Sequence, residues 1–202
     1  MSEQGPRSLH SLTGRSAGAL HQLNVGCGND IRSGWVNLDN APLPGVNVVH
    51  DIEKLPWPFA DNSFDRILCQ DILEHTDYIP LLRELHRIVK PGGTLKIRVP
   101  HFTSRSNFTD PTHRRLFSVS TFSFFVREAH SGKARERQYY FDFHFARISE
   151  RRLTFERSSR LFFYNRLVAP IVNASPRMQE FFEATMLSRL FPAENIIVTL
   201  VK

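Results

Sequence analysis

The chain has 202 residues, 41% hydrophobic and 23% charged, with a formal net charge of +6. That length suits one α/β domain and a sizeable buried core, and the composition excludes a disordered chain or a coiled coil. No stretch approaches the roughly 18 apolar residues of a membrane span, and residues 1–20 lack the apolar core of a signal peptide, so the sequence reads as soluble and cytoplasmic. The two cysteines, Cys27 and Cys69, lie far apart and indicate neither a disulfide framework nor a zinc cluster.

Residues 1–18, rich in Ser, Gly and Arg, predict a loose arm, and residues 19–202 a single domain. From Leu20 a short apolar strand runs into the turn Gly26-Cys27-Gly28. Trp35–Leu38 and Val46–His50 predict a second and third strand, each closing on an aspartate, Asp39 and Asp51. After the turn Asp61-Asn62-Ser63, Phe64–Gln70 reads as a fourth strand. Pro80, at a first helical position, opens a helix whose apolar residues Ile79, Leu82, Leu85, Ile88 and Val89 recur at helical spacing. Pro91-Gly92-Gly93 stops it, and Thr94–Val99 alternates as a fifth strand. Beyond Pro100, a polar and turn-rich run precedes a predicted helix over Val119–Arg127 and a strand over Tyr139–Ile148. A helix over Ser175–Leu190, capped by Ser175 with Pro176 at its first position, and a last strand, Asn195–Val201, close the chain. Strands joined by loops and helices imply a parallel sheet with right-handed crossovers.

Charge divides the chain unevenly. Residues 105–166 hold 13 basic and 6 acidic side chains, a net +7, and 11 of the 17 phenylalanines, whereas the residues before them carry almost no net charge. This aromatic and basic block is the expected substrate-recognising segment.

In an open parallel sheet, ligands bind beyond the carboxyl ends of the strands, where strand order reverses. Gly26 and Gly28 fall at the end of the first strand, Asp39 and Asn40 after the second, Asp51 and Ile52 after the third, and Gln70 and Asp71 after the fourth. Glycine lets the backbone approach a ligand closely, and a carboxylate can accept both hydroxyls of a ribose. A dinucleotide fingerprint would need a third glycine where Ile31 stands and an acid about 20 residues on, whereas Asp39 lies 13 residues after Gly26. A nucleoside without phosphates fits better, and a nicotinamide oxidoreductase is disfavoured.

At these positions the chain resembles the class I S-adenosylmethionine-dependent methyltransferases, particularly the small bacterial type 11 group. Leu23-Asn24-Val25-Gly26-Cys27-Gly28 is similar to their first motif, Trp35-Val36-Asn37-Leu38-Asp39 to the second and His50-Asp51-Ile52 to the third. Ser63-Phe64-Asp65-Arg66-Ile67, Asp71-Ile72-Leu73-Glu74-His75 and Leu85-His86-Arg87-Ile88-Val89-Lys90-Pro91-Gly92-Gly93 form the most specific stretch. The resemblance implies a Rossmann-like, doubly wound, seven-stranded, mostly parallel sheet with an antiparallel last strand. It also implies S-adenosylmethionine as cofactor, S-adenosylhomocysteine as product, and a cofactor site of Asn24, Gly26, Cys27, Gly28, Asp39, Asn40, Asp51, Ile52, Gln70, Asp71 and His75. Members usually carry an acid where this chain has Asn24 and often a third glycine where it has Asp30. The linker between the first two strands is short, so its helix is expected to be a turn or two.

A hydroxyl nucleophile would benefit from a general base, and histidine titrates nearest neutrality. Of His75, His101, His113 and His144, the expected catalytic pair is His101 and His113. A metal held by His101, Asp110 and His113 is discounted, because a turn at Asp110-Pro111 explains the acid. Asp71, Glu74 and His75 read equally well as the start of a helix and as cofactor contacts. Arg151 and Arg152 are expected to be solvated. The expected acceptor is a small molecule, anionic or lipid-linked, with RNA ranked second and a non-catalytic S-adenosylmethionine-binding protein as the reading from another class. No pattern fixes an oligomeric state.

Overall fold

The computed structural model describes residues 21–128, 136–156 and 163–202; the arm expected over residues 1–18 lies outside them. Seven strands form one sheet in the order β3-β2-β1-β4-β5-β7-β6, with β1 Gln22–Val25, β2 Val36–Asp39, β3 Val48–Val49, β4 Phe64–Gln70, β5 Val89–Pro100, β6 Arg147–Leu153 and β7 Asn195–Val201. Strands β1 to β5 pair in parallel, and β7 runs antiparallel between β5 and β6. The chain builds outward from β1 through β2 and β3, then returns to place β4 on the other side of β1. The reversal therefore lies between β1 and β4, where two loops leave the sheet edge in opposite directions.

Strand burial follows from the apolar runs. Leu23, Val25, Ile67, Cys69, Leu95, Ile97, Ile196 and Val198 are buried in the sheet. α1 (Tyr78–Ile88) covers one face with Leu81, Leu82, Leu85 and Ile88. Pro80 is its third residue rather than its first, still within the turn whose N–H groups lack helical partners. Trp57 is pinned beside α1: its backbone N–H donates to Glu84 Oε1 at 2.8 Å, and its indole N–H donates to the Ile52 carbonyl at 3.0 Å. Arg87 holds the same loop through Glu84, Asp61 and the Phe59 carbonyl.

Several elements differ from expectation. No helix joins β1 to β2; residues 26–35 form successive turns, with positive φ at Gly26, Gly28 and Gly34. Residues 119–127 contain a single 3-10 segment, Thr121–Phe125. Of the strand expected over Tyr139–Ile148 only Arg147 and Ile148 join the sheet; before them Phe141 and Phe143 pack on Phe125, at 4.4 and 5.7 Å between ring centres, and Phe145 makes an isolated bridge to Val126. A four-residue helix, α2 (Ser106–Thr109), and an eight-residue helix, α3 (Asn165–Val172), lie in the aromatic and basic block and beyond it. The helix expected over Ser175–Leu190 is divided by extended backbone at Thr185 into α4 (Pro176–Ala184) and α5 (Leu187–Leu190). Ser175 caps α4 as expected, its hydroxyl oxygen accepting from the Met178 N–H at 3.2 Å. Arg151 is not solvated: its guanidinium donates to Gln179, the Val119 and Pro176 carbonyls and Glu180, tying β6 to α4.

His86 closes the far end of α1 against the rings of Phe145 and Phe143 and donates from Nε2 to the His144 carbonyl at 3.2 Å. Burial, with the Lys202 charge added, pushes its pKa down to about 4. Between pH 6.5 and about 4 the unfolded chain binds a proton that the folded chain refuses, so stability falls as pH drops through that window and is unaffected above it. Urea denaturation at pH 7 and pH 5 is expected to show a drop that His86→Gln reduces by roughly 1 kcal/mol, a size that allows for partial exposure of the ring.

Candidate active site

The loop after β1 is held by side-chain amides. Asn24 Nδ2, buried in β1, donates to the Asp30 carbonyl at 2.7 Å and to Asn37 Oδ1 at 3.3 Å. Asn37 in β2 accepts from the Arg32 N–H at 3.0 Å, donates to the Arg32 carbonyl at 3.1 Å, and meets Asn47 in the loop before β3. This network replaces the short helix expected there, and it gives Asn24 a role in shaping the loop.

The turn itself brings backbone to the sheet edge. A Cβ on Gly26 would lie 2.1 Å from the Ile72 Cδ1, so Gly26 is where the β1 and β4 loops cross. A Cβ on Gly28 would meet nothing within 4 Å, so open space lies above that residue. Asp39 Oδ2 accepts from the Gly28 N–H at 2.7 Å and Oδ1 from the Ala41 N–H at 3.0 Å. Each carboxylate oxygen keeps a second acceptor site. Asn40 stands exposed beside it, and Cys27 is buried with its thiol pKa raised by burial. Asp51 accepts from the Glu53 N–H at 3.1 Å and faces Lys54 at 3.6 Å; Ile52 is half-buried under Trp57. These groups occupy the carboxyl edge of three adjacent parallel strands, a span of about 10 Å at the usual strand spacing and the length of a nucleoside.

On the other side of the reversal, β4 ends at Gln70, half-buried, and Asp71 takes the left-handed conformation with φ +53°. Asp71 accepts from Arg98 Nε at 2.9 Å and pairs with the rest of the guanidinium, which raises the Arg98 pKa. A cleft of about 700 Å³ opens from this pair, lined by Glu74, His75, Arg105, His113, Tyr164 and Asn195 among others. Its size lies within the range of small-molecule sites.

One wall of the cleft carries an unusual charge. Glu74 is 0% exposed, and neither carboxylate oxygen has a hydrogen-bond partner. Burial pushes its pKa up to about 7. Its backbone carbonyl accepts from the Arg114 and Arg115 N–H groups at 2.8 and 3.2 Å, which fastens the turn after β4 to the segment around His113. The rings of His75 and His113 meet edge to face at 4.7 Å between centres. His113 Nδ1 is buried without a partner, while Nε2 lies 3.7 Å from Asp110 Oδ2.

Of the expected catalytic pair, the structure places His113 on the cleft and His101 elsewhere. His101 is fully buried, with Nε2 bonded to Glu183 Oε1 at 2.9 Å and Nδ1 to Thr103 Oγ1 at 2.6 Å. It fastens the end of β5 to α4, and Glu183 also accepts from the Val119 N–H at 2.7 Å. His75, expected among the cofactor contacts, lines the cleft beside His113, as does Asp71. Glu74 was the residue that sequence reasoning undervalued; its signal was a carboxylate between Leu73 and His75 in a stretch otherwise committed to the core.

The sheet order, the glycine turn and the carboxylates along one edge define a Rossmann-like methyltransferase fold, and residues 11–97 match the family described as Methyltransferase domain. The match covers less than half of the chain and is to a methyltransferase family, while the sheet order gives the whole described domain the Rossmann-like fold of solved methyltransferases. The S-adenosylmethionine-dependent methyltransferase from Archaeoglobus fulgidus shares the fold at a TM-score of 0.54 and 19% identity, over 92% of this chain and 87% of that one. An uncharacterized protein of Methanocaldococcus jannaschii is 48% identical over 54 residues, 27% of this chain and 21% of its own. A demethylmenaquinone methyltransferase of Lysinibacillus sphaericus is 36% identical over 77 residues, 38% of this chain and 30% of its own. The chain thus matches between about a fifth and a third of the length of these curated relatives.

Both turn glycines have positive φ, but only Gly26 is also crowded. In thermal melts Gly26→Ala is expected to destabilise by about 2–3 kcal/mol and Gly28→Ala by about 1 kcal/mol, the cost of left-handed backbone alone. Equal losses would show that Ile72 yields freely.

Proposed function

We propose that this protein is a cytoplasmic S-adenosylmethionine-dependent methyltransferase acting on a small or lipid-linked biosynthetic metabolite, with residues 19–202 as one catalytic domain. The observation that carries this reading is the adjacency of two spaces at the β1–β4 reversal: a nucleoside-length edge at Gly28, Asp39 and Asp51, and a cleft that begins at Asp71. A molecule along the edge and a molecule in the cleft would meet over the end of β4.

The residues present fit the cofactor's nucleoside end. Asp39 keeps acceptor capacity on both oxygens for ribose hydroxyls, and the space above Gly28 admits the chain beyond the ribose. Asp51 and Ile52 would hold the base. When bound, S-adenosylmethionine supplies an electrophilic methyl group on a sulfonium. Asp71, locked by Arg98, would fix the floor between the two spaces, and the buried walls would keep water from the reacting centre. Alignment of this kind can supply roughly 7 to 11 kcal/mol. His113, on the cleft wall, would receive the acceptor's proton.

Support for the acceptor class comes from the surfaces around the cleft. Arg98 and Arg105 line it and suit an anionic group. Tyr164 and Asn165 join it to a flank where Phe163, Leu167 and Ile171 stand 60–71% exposed at four-residue spacing, an apolar face suited to a lipid tail. No helix among the described residues is long and apolar enough to cross a membrane.

In calorimetry Asp39→Ala is expected to weaken S-adenosylhomocysteine binding by about 1.5–3 kcal/mol, with a smaller fall in melting temperature from the released Gly28 and Ala41 N–H groups. Binding unchanged from wild type would remove Asp39 from the site. With pooled quinone and phosphorylated acceptors, His113→Gln is expected to lower S-adenosylhomocysteine release more than cofactor affinity. His101→Gln should lower the melting temperature and reduce activity only with the folded fraction. Cofactor binding without release from any acceptor would favour a binding module over an enzyme.

A further inference from the structure

We propose that Glu74, His75 and His113 bind a divalent transition-metal ion in the wall of the cleft. One ligand atom from each lies within 4.8 Å of the others. A shared ion at the usual 2.0–2.2 Å from each would hold them about 3–3.5 Å apart, a contraction that modest side-chain rotation supplies.

Two further observations point to a cation rather than to a chance cluster. Glu74 is wholly buried with neither carboxylate oxygen hydrogen-bonded, and Arg98, the lining cation whose charge acts on it, is already bound to Asp71. A buried carboxylate stays ionised in folded proteins when it is paired or ligates a metal. The histidines, moreover, are oriented to offer lone pairs. Thr112 Oγ1 donates its only proton to Asp110 Oδ1 at 2.6 Å, so towards His75 it can only accept, and His75 Nδ1, 2.8 Å away, must carry the hydrogen. The neutral ring of His75 then has its lone pair on Nε2. Asp110 stands behind His75 through Thr112, the arrangement by which outer carboxylates set the tautomer of a metal-bound imidazole, and its other oxygen lies 3.7 Å from His113 Nε2, beyond hydrogen-bond distance.

Two imidazoles and one carboxylate with an open side towards a cleft suit zinc, iron, cobalt or manganese rather than magnesium or calcium. The discounted trio of His101, Asp110 and His113 fails because the fold carries His101 to α4. The ion site does not depend on the methyl-donor reading but shares His113 with it: with the ion bound, His113 is a ligand rather than the acceptor's base, and the open positions would favour an acceptor with an oxygen donor, whose hydroxyl a cation makes more acidic.

The test is equilibrium dialysis of the untagged, chelator-treated full chain against Zn²⁺ with elemental analysis, and S-adenosylhomocysteine calorimetry on the same samples. One zinc per chain is expected. Glu74→Gln, His75→Ala and His113→Ala should each weaken binding at least tenfold, and His21→Gln should leave it unchanged. Thr112→Val should weaken it about 10- to 100-fold and Thr112→Ser should restore it, an outcome that a merely structural threonine would not produce. Substoichiometric zinc in the wild type, or equal affinity in all folded variants, would overturn the site. Zinc bound without S-adenosylhomocysteine would keep the metal site and remove the methyl-donor reading; the reverse would do the opposite.

Discussion

The carbonyl oxygen of Glu74 joins the two halves of the cleft. It accepts from two successive N–H groups, Arg114 and Arg115, across about forty residues of chain, and so fixes the turn after β4 against the segment around His113. The side chain of the same residue is thereby held in the interior with neither carboxylate oxygen hydrogen-bonded, and the rings of His75 and His113 are brought edge to face beside it. A strong backbone contact thus stabilises an arrangement whose side chains would not assemble alone. The left-handed Asp71, locked to Arg98, sets the start of the same turn and separates the cleft from the glycine loop.

The glycine loop illustrates a different economy. In place of a crossover helix, whose backbone would satisfy itself, residues 26–35 are pinned from outside by the amides of Asn24 and Asn37, and Asn37 is itself held by Asn47. An acid at Asn24 could accept hydrogen bonds but could not donate to the Asp30 carbonyl. The amide therefore suits a loop without a helix, and the departure at Asn24 and the shortness of the linker have one cause.

The basic block is less free than its net charge suggests. Arg151 is engaged in joining β6 to α4, Arg115 faces Asp77, and Arg147 lies in β6; Arg105 alone of these lines the cleft. Much of the aromatic content is likewise internal, with Phe117, Phe122, Phe125 and Phe145 among the most buried side chains. Among the described residues, the surface around the cleft is mixed, cationic at Arg98 and Arg105 and apolar along α3.

Residues 21–100 were legible in the sequence because their signals are local. A strand alternates or is uniformly apolar, a glycine turn follows the first, and an aspartate appears after the second, third and fourth; these patterns fix the parallel strands and helix α1 with little reference to the rest of the chain. Beyond Pro100 the residues are ordered by contacts with elements distant in sequence, so Phe141 and Phe143 stack where alternation implied a strand, and His101 bonds Glu183 where its position after β5 implied a reacting group. Sequence alone determined the sheet and the edge that suits a nucleoside. Only the tertiary structure decided which histidines share a wall with Glu74, because that depends on a hydrogen bond between segments about forty residues apart, and no periodicity or spacing encodes which buried carboxylate is left without a partner.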